Sequence, residues 1–234
     1  MKKTITILWA IITTLSLLTA CGGSNSSASQ GGNQNPDNNV LPNTDITDKF
    51  TDPAFLALVR EATKKNEGPI LASDVKDISS LSAAGKDISS LDGIEFFVSL
   101  RRLSCERNKL TELDVSKNIS LTDLFCDMNQ LTALDLSKNI KLEALGFEGN
   151  QLTELDLSNN TVLKNIYCNG NKLTQLDICK NTALKSIRCR RNPLTKLDVS
   201  SNIALTDLDC TGTPLTKQDI IGLDEGRTTL IIGQ

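Results

Sequence analysis

Residues Leu131–Gln151 read LTALDLSKNIKLEALGFEGNQ, and this stretch is one of five consecutive copies of a 21-residue sequence. Leucine, aspartate and asparagine return at the same positions in every copy. A fixed period of this length predicts a solenoid, in which each copy forms one coil that packs against its neighbours. The copies begin at Leu110, Leu131, Leu152, Leu173 and Leu194, and a sixth begins at Leu215 and breaks off.

The apolar residues of each copy occur twice in the same spacing, L-x-x-L-x-L-x-x-N. The period-two step at the end of each half predicts a short strand with alternate residues turned inward. Such a strand is too short to bury its own apolar face, so burial must come from the next coil, stacked about 4.8 Å away. In the quoted copy the two sets are Leu131, Leu134, Leu136 and Asn139, and Leu142, Leu145, Phe147 and Asn150.

Two sets of asparagines recur once per copy, each where a predicted strand ends. An inward amide at a bend can bond backbone groups that no strand partner reaches, which favours a structural role for both sets. The first set is Asn118, Asn139, Asn160, Asn181 and Asn202, and the second is Asn108, Asn129, Asn150, Asn171 and Asn192.

Cysteine recurs at one inward position of the second strand, and Phe147 takes that position once. Metal binding or disulfide bonds would be the functional interpretation, whereas a buried thiol can also be a simple core residue. Adjacent rungs hold their Cβ atoms about 4.8 Å apart, beyond the usual disulfide range of about 3.5–4.5 Å. Reduced core cysteines are therefore favoured, while Cys179 replaces a serine of the other copies and lies outside the column. The column is Cys105, Cys126, Cys168, Cys189 and Cys210.

With these residues the repeats resemble those of the internalins, and in particular the internalin J type with its cysteine ladder. The resemblance covers about Phe50 to Gln234. It implies an α/β repeat solenoid, namely a right-handed leucine-rich repeat superhelix of β-α type with short parallel strands, 21-residue coils and an N-terminal helical cap. It also implies no enzymatic activity and a surface that binds host or neighbouring-cell ligands.

The start of the chain has the features of an export signal. Lys2 and Lys3 precede a short apolar run, which predicts a secretory signal peptide rather than a membrane span. The run ends in Leu18-Thr-Ala before Cys21, which resembles the bacterial lipobox and implies a lipid on Cys21. Through that lipid we expect Cys21 to anchor the protein to an outer membrane or cell surface, whereas Leu230–Gln234 carry no cell-wall sorting motif such as internalin J would imply.

The remaining segments differ in composition from the repeats. The Gly, Ser, Asn and Gln that follow Cys21 predict a disordered tether. Asp52 and Pro53 predict the N-cap and first position of a helix over Phe50–Lys65, with a shorter helix over Ala72–Val75 and a final strand over Thr228–Ile232. The predicted boundaries are signal peptide 1–20, tether 21–45, helical cap with degenerate first repeats 46–99, leucine-rich repeats 100–216 and C-terminal cap 217–234.

Composition excludes several function classes. The formal net charge of -3 argues against nucleic acid as a partner. The chain has no histidine, which removes the commonest general base and the commonest neutral metal ligand. We therefore expect a monomeric, non-enzymatic protein without a cofactor or metal site.

The outward residue of the cysteine-bearing strand changes from copy to copy, as expected of a recognition surface on a constant scaffold. Phe125 and Tyr167 are the expected anchors, because aromatic residues often dominate binding, although single exposed apolar residues are also normal. Gly146 lies between them in the pattern and is expected to leave room for a ligand. The predicted ligand-binding residues are Phe125, Tyr167, Arg188, Arg190 and Asp209.

The first half of each copy presents a column of outward aspartates instead. Neighbouring carboxylates about 5 Å apart repel by roughly 0.8 kcal/mol in water, so hydroxyl groups of adjacent turns are expected to offset the charge. A cation-binding column is the alternative, since hard cations prefer carboxylate oxygens. The column is Asp114, Asp135, Asp156, Asp177, Asp198 and Asp219.

Two functions from different classes follow. The first is a surface or envelope lipoprotein that binds a protein or glycan ligand through the cysteine-strand face. The second is a structural or accessory scaffold of the cell envelope that uses its ends or the aspartate column.

Overall fold

The computed structural model describes residues 41–233 of the chain. Most of these residues form a stack of coils, about seven turns of 21 residues, with two helices near the N-terminal end. The predicted signal peptide, Cys21 and nearly all of the predicted tether lie outside the described residues. Between residues 41 and 233, no helix combines the length and the apolar character that crossing a bilayer requires.

The cysteine-bearing strands form one parallel sheet, and each coil adds one strand to it. Leu103 pairs with Leu124, and Leu124 pairs with Leu145, so successive strands are offset by one repeat. The predicted coils are therefore confirmed. The strands are β1 (Ser80–Ser82), β2 (Arg102–Ser104), β3 (Asp123–Phe125), β4 (Ala144–Gly146), β5 (Asn165–Tyr167), β6 (Ser186–Arg188), β7 (Leu197–Asp198), β8 (Asp207–Asp209), β9 (Ile220–Ile221) and β10 (Thr229–Ile231). The sheet contains eight of them in the order β1-β2-β3-β4-β5-β6-β8-β10.

Helix α1 (Pro53–Thr63) begins as the sequence predicts, and a short helix α2 (Ala72–Val75) follows it. The Asp52 carboxylate accepts hydrogen bonds from the backbone N–H groups of Ala54 and Phe55, and its other oxygen accepts from the backbone and hydroxyl of Ser89. Burial raises the pKa of Asp52, but these hydrogen bonds outweigh it and lower the pKa to about 2. One carboxylate thus caps the helix and joins it to the first coils.

The cysteine column lies inside the stack, as predicted. Its five thiols and Phe147 are fully buried. Burial raises the pKa of the Cys105, Cys126 and Cys168 thiols well above the ordinary value. The sulfurs of Cys189 and Cys210 are 3.4 Å apart, much farther than a disulfide bond of about 2.05 Å. Cys179 is exposed at the position of the repeat serines.

The prediction of a second strand in every coil is wrong. Within the described residues, the Leu-Asp segments pair only at Leu197–Asp198, whose partner is β9. Elsewhere the aspartate turns the chain, because its Oδ1 accepts the backbone N–H two residues later, as Asp135 does from Ser137. Asparagine amides replace the strand ladder there, and the coils return through turns rather than helices.

The two sets of asparagines are buried and bond backbone groups of neighbouring coils, which confirms their structural role. We name the set that contains Asn150 the strand-end asparagines. Asn150 Nδ2 donates to the carbonyls of Cys126 and Phe147, both at 3.0 Å, and its Oδ1 accepts from the Leu131 N–H at 3.0 Å. One side chain therefore links two successive coils.

The other set, which we name the turn asparagines, makes fewer bonds. Asn160 Nδ2 donates to the carbonyls of Leu136 and Asn139 at 3.1 and 2.9 Å. Its Oδ1 has no hydrogen-bond partner among residues 41–233, and the same holds for the other four members. The two columns thus differ in the amide oxygen, which accepts a backbone N–H in the strand-end asparagines and lacks a partner among the described residues in the turn asparagines.

The C-terminal residues continue the stack. The predicted final strand is β10, which pairs with β8, so that Leu230 follows Leu208 in register. A 3₁₀ turn at Lys217–Asp219 leads into β9. Residues after 216 therefore form one further coil that contributes to both sheets.

Candidate functional site on the strand face

The outward residues at the ends of the sheet strands lie in one row, which we name the strand row. Ser104 pairs with Phe125, Phe125 with Gly146, and Gly146 with Tyr167, and the pairing continues through Arg188 to Asp209. Four of the five predicted ligand-binding residues therefore belong to this one row. The fifth, Arg190, lies two residues beyond Arg188.

Phe125 and Gly146 are in contact, and this changes the expected role of the glycine. A Cβ atom at Gly146 would come within 2.7 Å of Phe125 Cδ1 and 2.9 Å of Asp127 Oδ2. The half-buried phenylalanine ring and the Asp127 carboxylate therefore already occupy the space above Gly146. The prediction that Gly146 leaves this space open for a ligand is wrong, because a glycine in a strand allowed its neighbours to approach instead.

Tyr167 and Arg188 form a second unit of the row. The guanidinium carbon of Arg188 lies 5.3 Å from the centre of the Tyr167 ring, which is a cation–π distance. The half-buried tyrosine and the exposed arginine together present a flat, partly charged platform. Stacking also limits the rotamers of Arg188, so less entropy is lost when a ligand bonds to its guanidinium.

Asp209 is buried, whereas the sequence pattern placed it among the outward residues. Only 4% of the residue is exposed, because the Arg190 guanidinium and Thr211 cover it. Arg190 Nε donates to Asp209 Oδ2 at 2.6 Å, and Nη2 makes a second bond to the same oxygen. Burial raises the pKa of Asp209, but the bonds from Arg190 and Thr211 outweigh it and lower the pKa. Asp209 therefore positions Arg190 rather than facing a ligand.

A cleft lies over the last three strands of the sheet. Its volume is about 310 Å³, and its lining residues include Arg188, Arg190, Asp209, Thr229 and Ile231. Three of the predicted site residues therefore border one concave surface. Tyr167 lies on the strand next to it, and Phe125 lies two strands farther along the row.

Three carboxylates border the opposite end of the strand row, and the sequence analysis did not single them out. Glu106, Asp127 and Glu148 each follow the cysteine-column position of their coil, so the repeat spacing itself was the available signal. Asp127 accepts a hydrogen bond from the Glu148 N–H at 2.6 Å. Burial and the neighbouring charges of Glu148 and Glu106 nevertheless raise the pKa of Asp127 to about 6. The strand row therefore has an acidic end and a basic end.

We expect Asp127→Asn to stabilise the protein at pH 7 and to change its stability little at pH 4. The folded protein binds the Asp127 proton more tightly than the unfolded chain, since the folded pKa is about 6 and the ordinary value is 3.8. Wild-type stability therefore falls as pH rises through this window. The difference corresponds to about 3 kcal/mol, which partial exposure reduces to about 1–2 kcal/mol.

Urea unfolding at pH 4, 5.5 and 7 measures this effect. The introduced asparagine side chain retains an acceptor for the Glu148 N–H, so the comparison isolates the charge. Asp135→Asn is the control, because bonds from Ser137 lower the pKa of Asp135 and its pH dependence has the opposite sign. If Asp127→Asn changed the free energy of unfolding equally at pH 4 and pH 7, folding would not raise the pKa of Asp127.

The aspartate column is held by backbone N–H groups, and the expected hydroxyls add to them, as Ser200 does at Asp198 and Thr216 at Asp219. The backbone N–H two residues later donates to Asp114, Asp135, Asp156, Asp177 and Asp198 at 2.8–3.0 Å. These bonds lower the pKa of Asp135, Asp156 and Asp177, and a hydroxyl bond from Ser200 leads in lowering that of Asp198. Among residues 41–233, no group of three or more cysteine, aspartate or glutamate side chains has metal-site geometry.

The fold is similar to solved structures of internalins from Listeria monocytogenes. The functional domain of InlJ, described as including a cysteine ladder, is 31% identical over 80% of this chain and 46% of its own length, with a TM-score of 0.64. The internalin inlF is 20% identical over 74% of this chain and 53% of its own, with a TM-score of 0.70. The internalin C2 is 20% identical over 83% of this chain and 98% of its own, with a TM-score of 0.60.

This chain thus spans less than half of the InlJ structure and about half of inlF. No protein-family model and no curated protein sequence matches it. The structural neighbours confirm the predicted leucine-rich repeat fold, and the cysteine ladder of InlJ agrees with the resemblance to that type.

Proposed function

We propose that this leucine-rich repeat solenoid, which has the internalin-like fold, is a protein-interaction module that binds its partner through the strand row. Leucine-rich repeat folds of this kind commonly serve as protein-interaction modules and are generally non-enzymatic. The observation that carries the choice of face is the strand row itself. Phe125, Tyr167 and Arg188 lie at equivalent outward positions of the sheet strands. The inward residues of the same strands are all leucine or isoleucine.

The chemistry of the row favours a partner loop over a purely apolar surface. Phe125 over Gly146 offers an apolar contact, and Tyr167 with Arg188 offers a planar contact that also carries charge. Arg190 is fixed by the buried Asp209 beside the 310 Å³ cleft. Aromatic and arginine anchors in desolvated positions are typical of the few residues that dominate protein binding. A glycan ligand would use the same two aromatic rings, and the test below separates these two ligand classes.

We expect the double variant Phe125→Ser/Tyr167→Ser to lose partner affinity while it stays folded. Both side chains are only half-buried, so the free energy of unfolding should change by about 1 kcal/mol or less. Loss of two anchors should weaken binding by on the order of 2 kcal/mol or more. Partners recovered by pull-down from cell-surface proteins and by glycan array would each be titrated against the variant.

Asp135→Asn/Asp156→Asn is the matched control, because it alters two equivalent positions of the aspartate column. A partner that binds the aromatic variant as tightly as wild type, but binds the aspartate variant weakly, would assign recognition to the other face. If a glycan binds the wild-type protein and no protein partner is found, the ligand of the strand row would be a glycan instead of a protein.

We also propose that the module is held at the cell envelope by a lipid on Cys21. The support is the order of charged, apolar and small residues before that cysteine, which resembles a lipobox. Cys21→Ala should move the protein from the membrane fraction to the soluble fraction, with little change in its circular dichroism spectrum. Protease treatment of intact cells then distinguishes display on the cell surface from a periplasmic location. A Cys21→Ala protein that still sediments with membranes would exclude the lipid anchor.

A further inference from the structure

A second cleft lies away from the strand row, on the first half of three successive coils. Its volume is about 820 Å³, and Leu91, Leu113 and Leu134 are among the apolar residues of its floor. Leu134 is only partly buried, unlike the inward leucines of the sheet. The cleft therefore exposes apolar surface that the stacking of coils does not cover.

One position on the border of the cleft carries a short side chain in this coil alone. Ala133 borders the cleft, whereas the same position in the other copies carries Glu112, Glu154, Gln175 or Lys196. Alanine adds neither charge nor bulk at the border of the cleft, although Leu155, which follows Glu154, is partly buried as well. Partial burial of this leucine is therefore not specific to one coil, and Ala133 supplies an uncharged part of the border.

The rim of the cleft is strongly acidic. It carries five carboxylates, and Lys117 is its one cationic residue within the described chain. Their formal charges sum to about -4, taking each acid as ionised at pH 7. Like charges gathered around an apolar floor repel one another, and a bound cation would relieve that repulsion. The five acids are Asp92, Glu95, Glu112, Asp114 and Asp135.

Neutral donors hold four of these carboxylates in place. Thr51 Oγ1 donates to Asp92 at 2.7 Å, and the Gly93 N–H donates to Glu95 at 2.9 Å. The N–H groups of Ser116 and Ser137 donate to Asp114 and Asp135 at 2.8 and 2.9 Å. These bonds orient the carboxylates without cancelling their charge. The rim is thus arranged before any partner binds.

We propose that this cleft docks a basic segment of a partner protein, with an apolar side chain on the leucine floor and lysine or arginine side chains at the acidic rim. Charge complementarity selects this occupant. The chain's own tether is a poor match, because residues 22–40 contain no lysine or arginine and include Asp37. The cleft is separate from the strand row, so this partner contact does not depend on the function proposed above.

Nuclear magnetic resonance with the ¹⁵N-labelled full chain tests the proposal. The probe is a hexapeptide of alternating lysine and leucine, and two matched peptides replace every lysine by glutamate or every leucine by serine. We expect the lysine-leucine peptide to shift the amide signals of Leu113, Ala133 and Leu134. We expect both matched peptides to bind at least about tenfold more weakly, since each lacks one of the two contacts.

Ala133→Lys should weaken the probe by about tenfold or more, because it places a long cation in the cleft. Lysine already occupies this repeat position at residue 196, so the coil should tolerate it. Gln175→Lys is the matched control, since it adds the same charge at the same repeat position two coils away. Glu95→Gln/Glu112→Gln removes two rim charges and should also weaken binding, more so at about 50 mM salt than at about 500 mM.

Four results would overturn the proposal. Equal binding of the glutamate-leucine peptide would exclude recognition of charge, and equal binding of the lysine-serine peptide would exclude the leucine floor. Equal effects of Ala133→Lys and Gln175→Lys would place the probe elsewhere. Self-association of the chain that Ala133→Lys abolishes would assign the cleft to a second copy, whose basic Arg188–Arg191 segment would be the occupant.

Discussion

Cys168→Asp should prevent the central coils from folding at pH 7. Cys168 is fully buried between neighbouring rungs of the column, and its Sγ lies 3.3 Å from the carbonyl oxygen of Arg188. An ionised carboxylate at this place would have neither water nor a cation to compensate its charge, at a cost of several kcal/mol even after relaxation. That is comparable to the whole stability of a domain, about 5–15 kcal/mol.

The effect should depend on pH, because the introduced carboxylate can escape its charge by binding a proton. We expect Cys168→Asp to lose its cooperative urea transition at pH 7 and to regain part of it at pH 4, followed by circular dichroism. Cys179→Asp is the matched control, since Cys179 is exposed and should tolerate the change at a cost of about 1 kcal/mol or less. A stable Cys168→Asp protein at pH 7 would mean that water reaches the column.

Asn150→Ala should destabilise the protein more than truncation of Asn159 or Asn160 in the next copy. It removes two bonds to carbonyls and one from an N–H, all inside the stack. Each backbone group left unsatisfied costs about 1–3 kcal/mol, so the three groups together cost about 3–9 kcal/mol. Asn160→Ala removes only two bonds and should cost about two thirds as much, roughly 2–6 kcal/mol.

Asn159→Ala provides the baseline, because Asn159 is exposed next to the buried Asn160 and should change stability by about 0.5 kcal/mol or less. Chemical denaturation of the three variants gives the order. If Asn160→Ala cost as much as Asn150→Ala, the Oδ1 atoms of the turn asparagines would have a partner that the fold does not reveal. Equal costs for all three would remove the structural role of both columns.

Inward positions could be predicted because each performs the same task in every coil. Leu124, Cys126 and Asn129 meet equivalents one repeat away, so period and residue type together defined the sheet, the buried thiols and the amide columns. The Asp52 cap was equally accessible, because its bonds to the N–H groups of residues 54 and 55 are local in sequence. Local and periodic contacts are the ones that a sequence encodes openly.

Outward positions could not be predicted in the same way, because their contacts depend on which residues two neighbouring coils happen to carry. Asp209 is covered partly by Arg190, which reaches it from the preceding coil. Gly146 is covered only because Phe125 precedes it by one rung. The 820 Å³ cleft likewise depends on which residues three neighbouring coils carry along its border, Ala133 among them.

A left-handed backbone conformation that recurs in the coils could not be predicted from the sequence either. The residue two positions after the cysteine column adopts a left-handed conformation in six successive coils, at Arg107, Met128, Gly149, Gly170, Arg191 and Gly212. Glycine would have revealed the bend, because it adopts positive φ without a Cβ penalty. Only half of these copies have glycine there, so the position looked variable. At Arg107, Met128 and Arg191 the stack imposes the conformation on residues that do not favour it.

The constant offset of one repeat between paired strands has a consequence for how the gene can change. Because β3, β4 and β5 pair in the same register, removing or duplicating one repeat in frame would preserve the pairing of all the others. Unequal recombination between copies would therefore yield foldable products, and each would present a different order of outward residues. Loss of the coil that carries Gly146 would bring Phe125 and Tyr167 onto adjacent rungs. Partner choice could thus diversify by rearranging whole coils, without a single point mutation in the core.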